Sequence, residues 1–201
     1  CACVGYKPTY GMISRYGVVS MASSLDQVGI LSNDVKSILP VINTIGGVDK
    51  MDAVTMRDTV DFKEDNNFSI KGLKIATVSN IEEYEIDDVV LSDYRKAIEN
   101  LKSQGAIIEE VDFKYIKHST NVYNVVMSAE VSSNMSRFDG IRYGYRTENY
   151  DSTRELFTNT RSEGFGEEVQ RRIAMGTFYL ASSNNQVLYK KGLKVRDLIS
   201  K

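Results

Sequence analysis

Side chains that could bind a ligand or take part in catalysis concentrate in two stretches of this 201-residue chain. One of them, GEEVQRRIAMG, places Arg171 beside Arg172. Neighbouring residues of a helix point about 100° apart, so at most one of these arginines shares the buried face with Val169 and Ile173. An arginine on that face needs a carboxylate, which either the protein or a substrate can supply. The other, SAEVSSNMSRFDGIRYGYR, is interpreted as a helix end with structural ion pairs. Its candidate residues are Glu130, Asn134, Arg137, Asp139, Arg142, Tyr143 and Arg146.

Several common kinds of site find no support in the sequence. A conventional serine hydrolase needs a histidine base, and the single histidine, His118, lies in the polar run KYIKHSTN, which predicts a surface position. Neither a G-x-S-x-G elbow nor a phosphate-binding P-loop is present. Cys1 and Cys3 are too few and too close for a disulfide framework or a zinc site, so we expect inert thiols and no bound metal.

The composition is that of a globular protein, with 42% hydrophobic and 26% charged residues and a net charge of −2. This charge does not favour a polyanionic partner bound by bulk electrostatics. The sequence lacks an apolar run of membrane-spanning length and a signal-peptide pattern, which predicts a cytoplasmic protein with no membrane contact. Because the chain begins with Cys1 and ends inside a helical pattern, we expect a fragment whose exposed sheet edges could self-associate.

The elements that must position these residues follow an α/β pattern. A helix is predicted to follow an N-cap at 32–34 and to close at 46–47, with apolar positions at Val35, Ile38, Leu39, Ile42 and Ile45. Pro40 is expected to introduce a kink or to divide it into two short turns, and a polar surface connection is predicted over 49–70. Strand patterns at 73–78 and 106–111 flank a helical pattern at 92–104, which predicts a parallel strand pair with a right-handed crossover. The later chain is predicted to be mainly helical, with helices from 119, over 167–183 and over 186–200, and a loop over 161–166.

The stretch GYKPTYGMISRYGVVSMASSLDQVG, residues 5–29, resembles the segment that follows the catalytic serine in amidase signature enzymes. Further stretches match the branch of that family formed by subunits of tRNA-dependent amidotransferases: KGLKIATV, AIENLKSQGA, SAEVSSNMSRFDGIRYGYR, RSEGFGEEVQRRIAMGTFYL and YKKGLKVRDLI. The resemblance implies an α/β fold with helices packed on a partly parallel sheet. Residues 1–201 would be the central portion of a single amidase signature domain, truncated at both ends.

The resemblance also implies a mechanism and a set of residues. Family members hydrolyse an amide with a Ser–cis-Ser–Lys triad, which we expect upstream of Cys1, so none of Ser14, Ser20, Ser23 or Ser24 is expected to be the nucleophile and the chain alone is expected to be inactive. The segment 23–27 is expected to be a buried hydroxyl and carboxamide cluster that braces the site.

Two substrate-binding residues are carried over from the family. The tyrosine near the glutamine pocket matches Tyr123, next to Asn124 where relatives often carry a second aromatic residue. The arginine that pairs with the glutamine α-carboxylate matches Arg172, with Arg171 as the alternative, because a planar and permanently charged fork suits a free carboxylate.

The implied function is release of ammonia from glutamine for conversion of Glu-tRNA(Gln) to Gln-tRNA(Gln). The implied partners are subunits B and C of the amidotransferase, glutamine and Glu-tRNA(Gln). No cofactor is expected in this chain, whereas the whole complex would use ATP and Mg²⁺. The alternatives are a stand-alone amidase of the same superfamily and a non-catalytic folding or interaction unit.

Overall fold

The computed structural model describes residues 3–56, 58, 60–79, 81 and 84–201, except for the side chain of Gln186. The described chain falls into two compact units, Cys1–Glu64 with Asn124–Lys190, and Asp65–Tyr123 with Lys191–Lys201. The division into two units does not test whether residues 1–201 belong to a single domain, and this stays a prediction. Among the described residues, no helix is both long enough and apolar enough to cross a membrane.

The first unit begins with two short antiparallel strands and a short helix. Strand β1 (Val4–Tyr6) pairs with β2 (Ile30–Ser32), and helix α1 spans Ile38–Ile45. Five buried residues form a small core between these elements: Met12, Ile13, Ile30, Ile38 and Ile42. The β1–β2 pairing was not predicted, because three-residue strands show no alternating pattern.

The predicted helix begins later than expected, at Ile38 rather than directly after Asp34. The Asp34 carboxylate accepts hydrogen bonds from the backbone N–H and hydroxyl of Ser37, which closes a turn before the helix. Pro40 is therefore the third residue of α1, where an amide proton has no intrahelical partner, and it does not interrupt the helix. Val35, predicted as an apolar position of the helix, precedes it and is 70% exposed.

A second core of this unit contains residues from two of its later helices. Helix α3 (Ser119–Met135) crosses into the unit at Asn124, and α4 (Thr153–Gly164) and α5 (Glu167–Leu180) follow. Four buried residues form the second core: Ala22, Met127, Val131 and Met135. A single helical turn, α6 (Ser182–Asn184), and a π-helical turn (Asn185–Tyr189) lead to α7 (Lys190–Ile199), which belongs to the second unit from residue 191 onward. The helices predicted over 167–183 and 186–200 are thus shorter than expected.

The loop predicted over 161–166 is largely wrong, because residues 161–164 complete α4. The hydroxyl of Ser152 accepts a hydrogen bond from the backbone N–H of Glu155, and the Glu155 carboxylate accepts one from the backbone N–H of Asp151. Ser and Glu at this spacing mark a helix start. Leu156 and Thr160 are buried one turn apart on the inner face of α4.

The second unit contains the predicted strand–helix–strand segment. Strand β3 (Lys74–Val78) pairs in parallel with β4 (Ile107–Val111), and α2 (Asp88–Ser103) connects them. Gly105 follows α2 with φ of +92°, a conformation that glycine adopts without strain. The parallel pair and the helices of the chain confirm the α/β prediction.

Candidate functional site

Arg172 lies at the border of the buried face of α5. Val169 and Ile173 pack against the second core, while the side chains of Arg171 and Arg172 are 59% and 26% exposed. The Nη1 atom of Arg172 lies 3.4 Å from the sulfur of the buried residue Met127 on α3. Of the two arginines, Arg172 is therefore the one held against the protein interior.

The carboxylate that this arginine requires comes from Glu168, one turn earlier on the same helix. Its Oε1 atom accepts hydrogen bonds from Arg171 Nη2 and Arg172 Nε, each at 2.7 Å, and its Oε2 atom accepts one from Arg171 Nε at 2.7 Å. Donation from Arg171, and then from Arg172, lowers the pKa of Glu168 to about 2. Glu168 is thus ionised near neutral pH and joins both guanidinium groups.

Close packing of α5 on α3 sets the position of this cluster. Gly176 is buried, and a Cβ atom at this residue would overlap the carbonyl oxygen of Ser128. One residue further along, the hydroxyls of Thr177 and Ser132 lie 3.0 Å apart in a hydrogen bond. The two helices approach closely because glycine and small hydroxyl residues meet at the contact.

Residues 20–27, called the serine segment below, are held by side chains from their own turn and from α3. The Asp26 carboxylate accepts hydrogen bonds from the backbone N–H groups of Met21 and Ala22. The backbone N–H and the hydroxyl of Ser24 both donate to the carboxylate of Glu130. Within the segment Ser23 and Ser24 are exposed, so the prediction of a buried cluster is wrong for these hydroxyls.

Three further hydrogen bonds, two from α3 and one within the early loop, complete this arrangement. Asn134 donates through Nδ2 to the backbone oxygen of Met21 and to the hydroxyl of Ser23, at 3.1 and 3.0 Å. Gln27 donates to the backbone oxygen of Pro8. Glu130 and Asn134, interpreted from sequence as part of a helix end with ion pairs, therefore connect α3 to the serine segment. A cavity of about 320 Å³ borders these residues.

Arg15 joins the serine segment to the connection that follows α1. Its Nη1 atom donates to the backbone oxygen of Ser23 at 2.6 Å and to the Tyr10 hydroxyl at 3.1 Å. Its backbone N–H and Nε donate to Asp52 Oδ2 at 2.9 and 3.2 Å. The Asp52 side chain is only 9% exposed, and Met56 nearby packs against the first core, so the predicted surface connection over 49–70 is partly internal.

The remaining polar and aromatic residues of the stretch SAEVSSNMSRFDGIRYGYR make local contacts, in agreement with its interpretation as a helix end with structural ion pairs. Arg142 pairs with Asp139 at 3.1 Å, and Arg137 donates to the backbone and side-chain oxygens of Asn134. The ring of Tyr143 meets Phe138 edge-on, and Arg146 stacks over the ring of Tyr150. These contacts are local and fold the chain between α3 and α4.

The other predicted residues lie apart from these clusters in the chain. Tyr123 is 45% exposed on α3 and belongs to the second unit, so its substrate-binding role stays a prediction, as does the choice between Tyr123 and Asn124. His118 is exposed on a short 3₁₀ turn, as predicted. Cys3 is an exposed free thiol, and Cys1 lies outside the described residues. Across the described part of the chain, no group of three or more His, Cys, Asp or Glu side chains could hold a metal ion.

Sequence reasoning missed Glu168, Arg15 and Asp52 as members of these clusters. Glu168 could have been found from its spacing, because an acid three and four residues before two arginines on a helix lies within reach of both. Arg15 and Asp52 are 37 residues apart and give no local signal.

Comparison with known proteins relates this chain to one family. The A subunit of glutamyl-tRNA(Gln) amidotransferase from Halothermothrix orenii is 44% identical over 99% of this chain and 42% of its own length. The protein of the same name from Streptococcus mutans is 47% identical over 98% of this chain and 40% of its own length. The chain therefore spans about two fifths of the length of these curated relatives.

Solved structures give the same relationship. The crystal structure of the glutamyl-tRNA(Gln) amidotransferase A subunit from Thermotoga maritima superposes with a TM-score of 0.73 at 36% identity, covering all of this chain and 39% of that one. A crystal structure described as an amidase superposes with a TM-score of 0.67 at 15% identity, covering 99% of this chain and 37% of that one, and supports the fold alone. The sequence profile of the amidase family matches residues 1–201. The chain belongs to the amidase family.

Proposed function

We propose that this chain is part of a tRNA-dependent amidotransferase subunit that hydrolyses the side-chain amide of glutamine. The observation that carries the proposal is the 44–47% identity to amidotransferase A subunits along 98–99% of the chain. In the proposed complex, the released ammonia converts Glu-tRNA(Gln) to Gln-tRNA(Gln). Subunits B and C are the proposed partners, and the ATP- and Mg²⁺-dependent step is assigned to the whole complex rather than to a residue of this chain.

Arg172 is the residue proposed to bind the substrate. Its guanidinium keeps a positive charge throughout the physiological pH range and can donate two parallel hydrogen bonds to a carboxylate. Glutamine has a free α-carboxylate, whereas a simple neutral amide does not. A permanent cation beside the buried sulfur of Met127 therefore supports selection of an amino-acid amide. Tyr123 is retained as the second predicted substrate-binding residue.

Replacement of Arg172 by alanine is expected to raise the KM for glutamine at least tenfold, since a charge-assisted hydrogen bond contributes about 1.5–3 kcal/mol. The experiment compares ammonia release from glutamine and from a neutral amide by the assembled enzyme. The neutral amide should show a much smaller change. Equal effects on both substrates would favour the second candidate, a stand-alone amidase that recognises no carboxylate.

The attacking serine is proposed to lie outside residues 1–201. Two hydroxyls of the early segment are engaged with carboxylates: Ser14 donates to Asp49 at 2.6 Å, and Ser24 donates to Glu130. The family mechanism instead requires a hydroxyl activated by a neutral lysine through a bridging serine. These pairs therefore suit a structural role.

An electrophilic glutamine analogue tests this assignment. After reaction with the assembled enzyme and proteolysis, mass spectrometry is expected to find the covalent adduct on a peptide outside this sequence. The unreactive γ-methyl analogue serves as the control for non-covalent retention. An adduct on Ser14, Ser20, Ser23 or Ser24 would show that the nucleophile is within the chain. Complete absence of ammonia release by the assembled enzyme would instead favour a non-catalytic unit.

A further inference from the structure

The Glu168 cluster, formed by Glu168, Arg171 and Arg172, contains one more arginine than a simple helix ion pair requires. One carboxylate receives three hydrogen bonds of 2.7 Å from two guanidinium groups. A single Glu–Arg pair would be electrically neutral. Here, two arginines and one glutamate leave one net positive charge, and the less exposed arginine is the one beside Met127.

The contacts of the two arginines with Glu168 differ in a way that separates their roles. Arg171 binds through Nε and Nη2, which is a two-point interaction that occupies the carboxylate. Arg172 uses only Nε for Glu168, and its Nη1 atom is directed at Met127 on α3. One edge of the Arg172 guanidinium is thereby anchored, and the anchoring fixes the direction of its terminal nitrogens.

We infer that Glu168 and Arg171 are positioning residues for Arg172, Glu168 by orienting its guanidinium and Arg171 by offsetting the negative charge that Glu168 brings. This inference rests on the proposed function, in which Arg172 binds the substrate carboxylate. Without Arg171, the Glu168–Arg172 pair would be neutral and would attract an anion less. Without Glu168, the positive charge would increase but the guanidinium would lose its anchor.

Four enzyme variants separate charge from orientation. Arg171→Gln leaves a neutral cluster, and the KM for glutamine is expected to rise about fivefold with little change in kcat, as expected for loss of a nearby charge in a partly screened site. Arg171→Lys retains the charge and should stay within twofold of the wild type. Glu168→Gln increases the positive charge but should still raise the KM, because orientation is lost. The double variant Arg171→Gln/Glu168→Gln restores one net charge without the anchor and should not recover the wild-type KM.

Two controls, a neutral amide substrate and an exposed ion pair, would reveal a merely structural role of Glu168 and Arg171. None of these variants should change the KM of the neutral amide more than twofold. Lys96→Gln removes a charge from a comparable exposed pair with Asp93 on α2 and should leave both substrates unaffected. Thermal unfolding of each variant shows whether it is folded. A purely structural pair would lower the unfolding temperature and change both substrates equally.

The outcomes also distinguish this inference from the proposed function. If Arg172→Ala does not affect glutamine selectively, the proposed function fails. If Arg172→Ala is selective but Arg171→Gln has the wild-type KM, the charge role of Arg171 is overturned. A KM for Glu168→Gln at or below that of the wild type would overturn the orienting role of Glu168.

Discussion

Replacement of Gly176 by alanine is expected to lower the free energy of unfolding by about 1–3 kcal/mol, and leucine at this position is expected to prevent α5 from packing on α3. The added Cβ would overlap the carbonyl oxygen of Ser128 and lie 2.7 Å from the Cβ of Ser132. Backbone and Cβ atoms cannot rotate away as the end of a long side chain can. The helices must therefore separate.

The direction of this effect is informative because alanine normally stabilises a helix. In an open helical position, replacement of glycine by alanine stabilises the folded protein by about 1 kcal/mol, because alanine has less backbone entropy to lose when the chain folds. A net loss at Gly176 would thus be caused by the tertiary contact with α3. Since Arg172 lies one turn before Gly176 on α5, separation of the helices should also displace its guanidinium and raise the KM for glutamine.

Chemical denaturation of the purified protein measures this prediction directly. Ala174→Leu provides the matched control, because it adds a leucine to an exposed position of the same helix. Its unfolding free energy should change by less than about 0.5 kcal/mol. A Gly176→Ala variant as stable as the wild type would show that the close approach of the helices is not required.

The parts of the fold that could be predicted from sequence are those governed by neighbouring residues. The strand–helix–strand segment of the second unit was identified because glycines mark its boundaries and because its apolar spacing changes between strand and helix. The angular spacing of a helix also predicts that at most one of Arg171 and Arg172 shares the buried face, and their side chains are 59% and 26% exposed.

The parts that could not be predicted depend on distant residues or on a boundary that sequence leaves open. Ser24 and Glu130 are 106 residues apart, and no pattern in either segment identifies the other as its hydrogen-bond partner. The late start of α1 depends on whether Asp34 caps a helix or closes a turn, and both are typical of aspartate. Glu168 is a different case, because its spacing from Arg171 and Arg172 on one helix gives a local signal that the sequence analysis did not use.

Exchange of Arg15 for methionine is expected to lower the free energy of unfolding by about 2–3 kcal/mol, at or below the lower end of the ~3–5 kcal/mol for breaking a buried ion pair, because this pair is only partly buried. The side chains of Arg15 and Asp52 are 18% and 9% exposed. Without the guanidinium, Asp52 keeps backbone donors from residue 15 and Val54 but loses its opposite charge. The serine segment also loses the Arg15 hydrogen bond to the oxygen of Ser23.

An exposed pair in the same unit provides the comparison. Lys36 and Glu64 approach to 3.5 Å with side chains 85% and 56% exposed, so Lys36→Met should change the unfolding free energy by less than about 0.5 kcal/mol. Equal losses in the two variants would indicate that burial contributes nothing to the Arg15–Asp52 interaction. Denaturation at neutral pH and constant ionic strength separates these results.

The same ion pair predicts a specific dependence of stability on pH. Hydrogen bonds from Arg15, first from its side chain and then from its backbone, lower the pKa of Asp52 to about 2 from the ordinary value of 3.8. A carboxyl group with a lowered folded-state pKa contributes its full stability above the unfolded-state pKa and loses it as the pH falls toward the folded-state value. The contribution of Asp52 is therefore complete above about pH 4 and is lost between about pH 4 and 2. Denaturation series in this window should show a steeper decline for the wild type than for Arg15→Met, and parallel curves would contradict the assignment of this pKa to the ion pair.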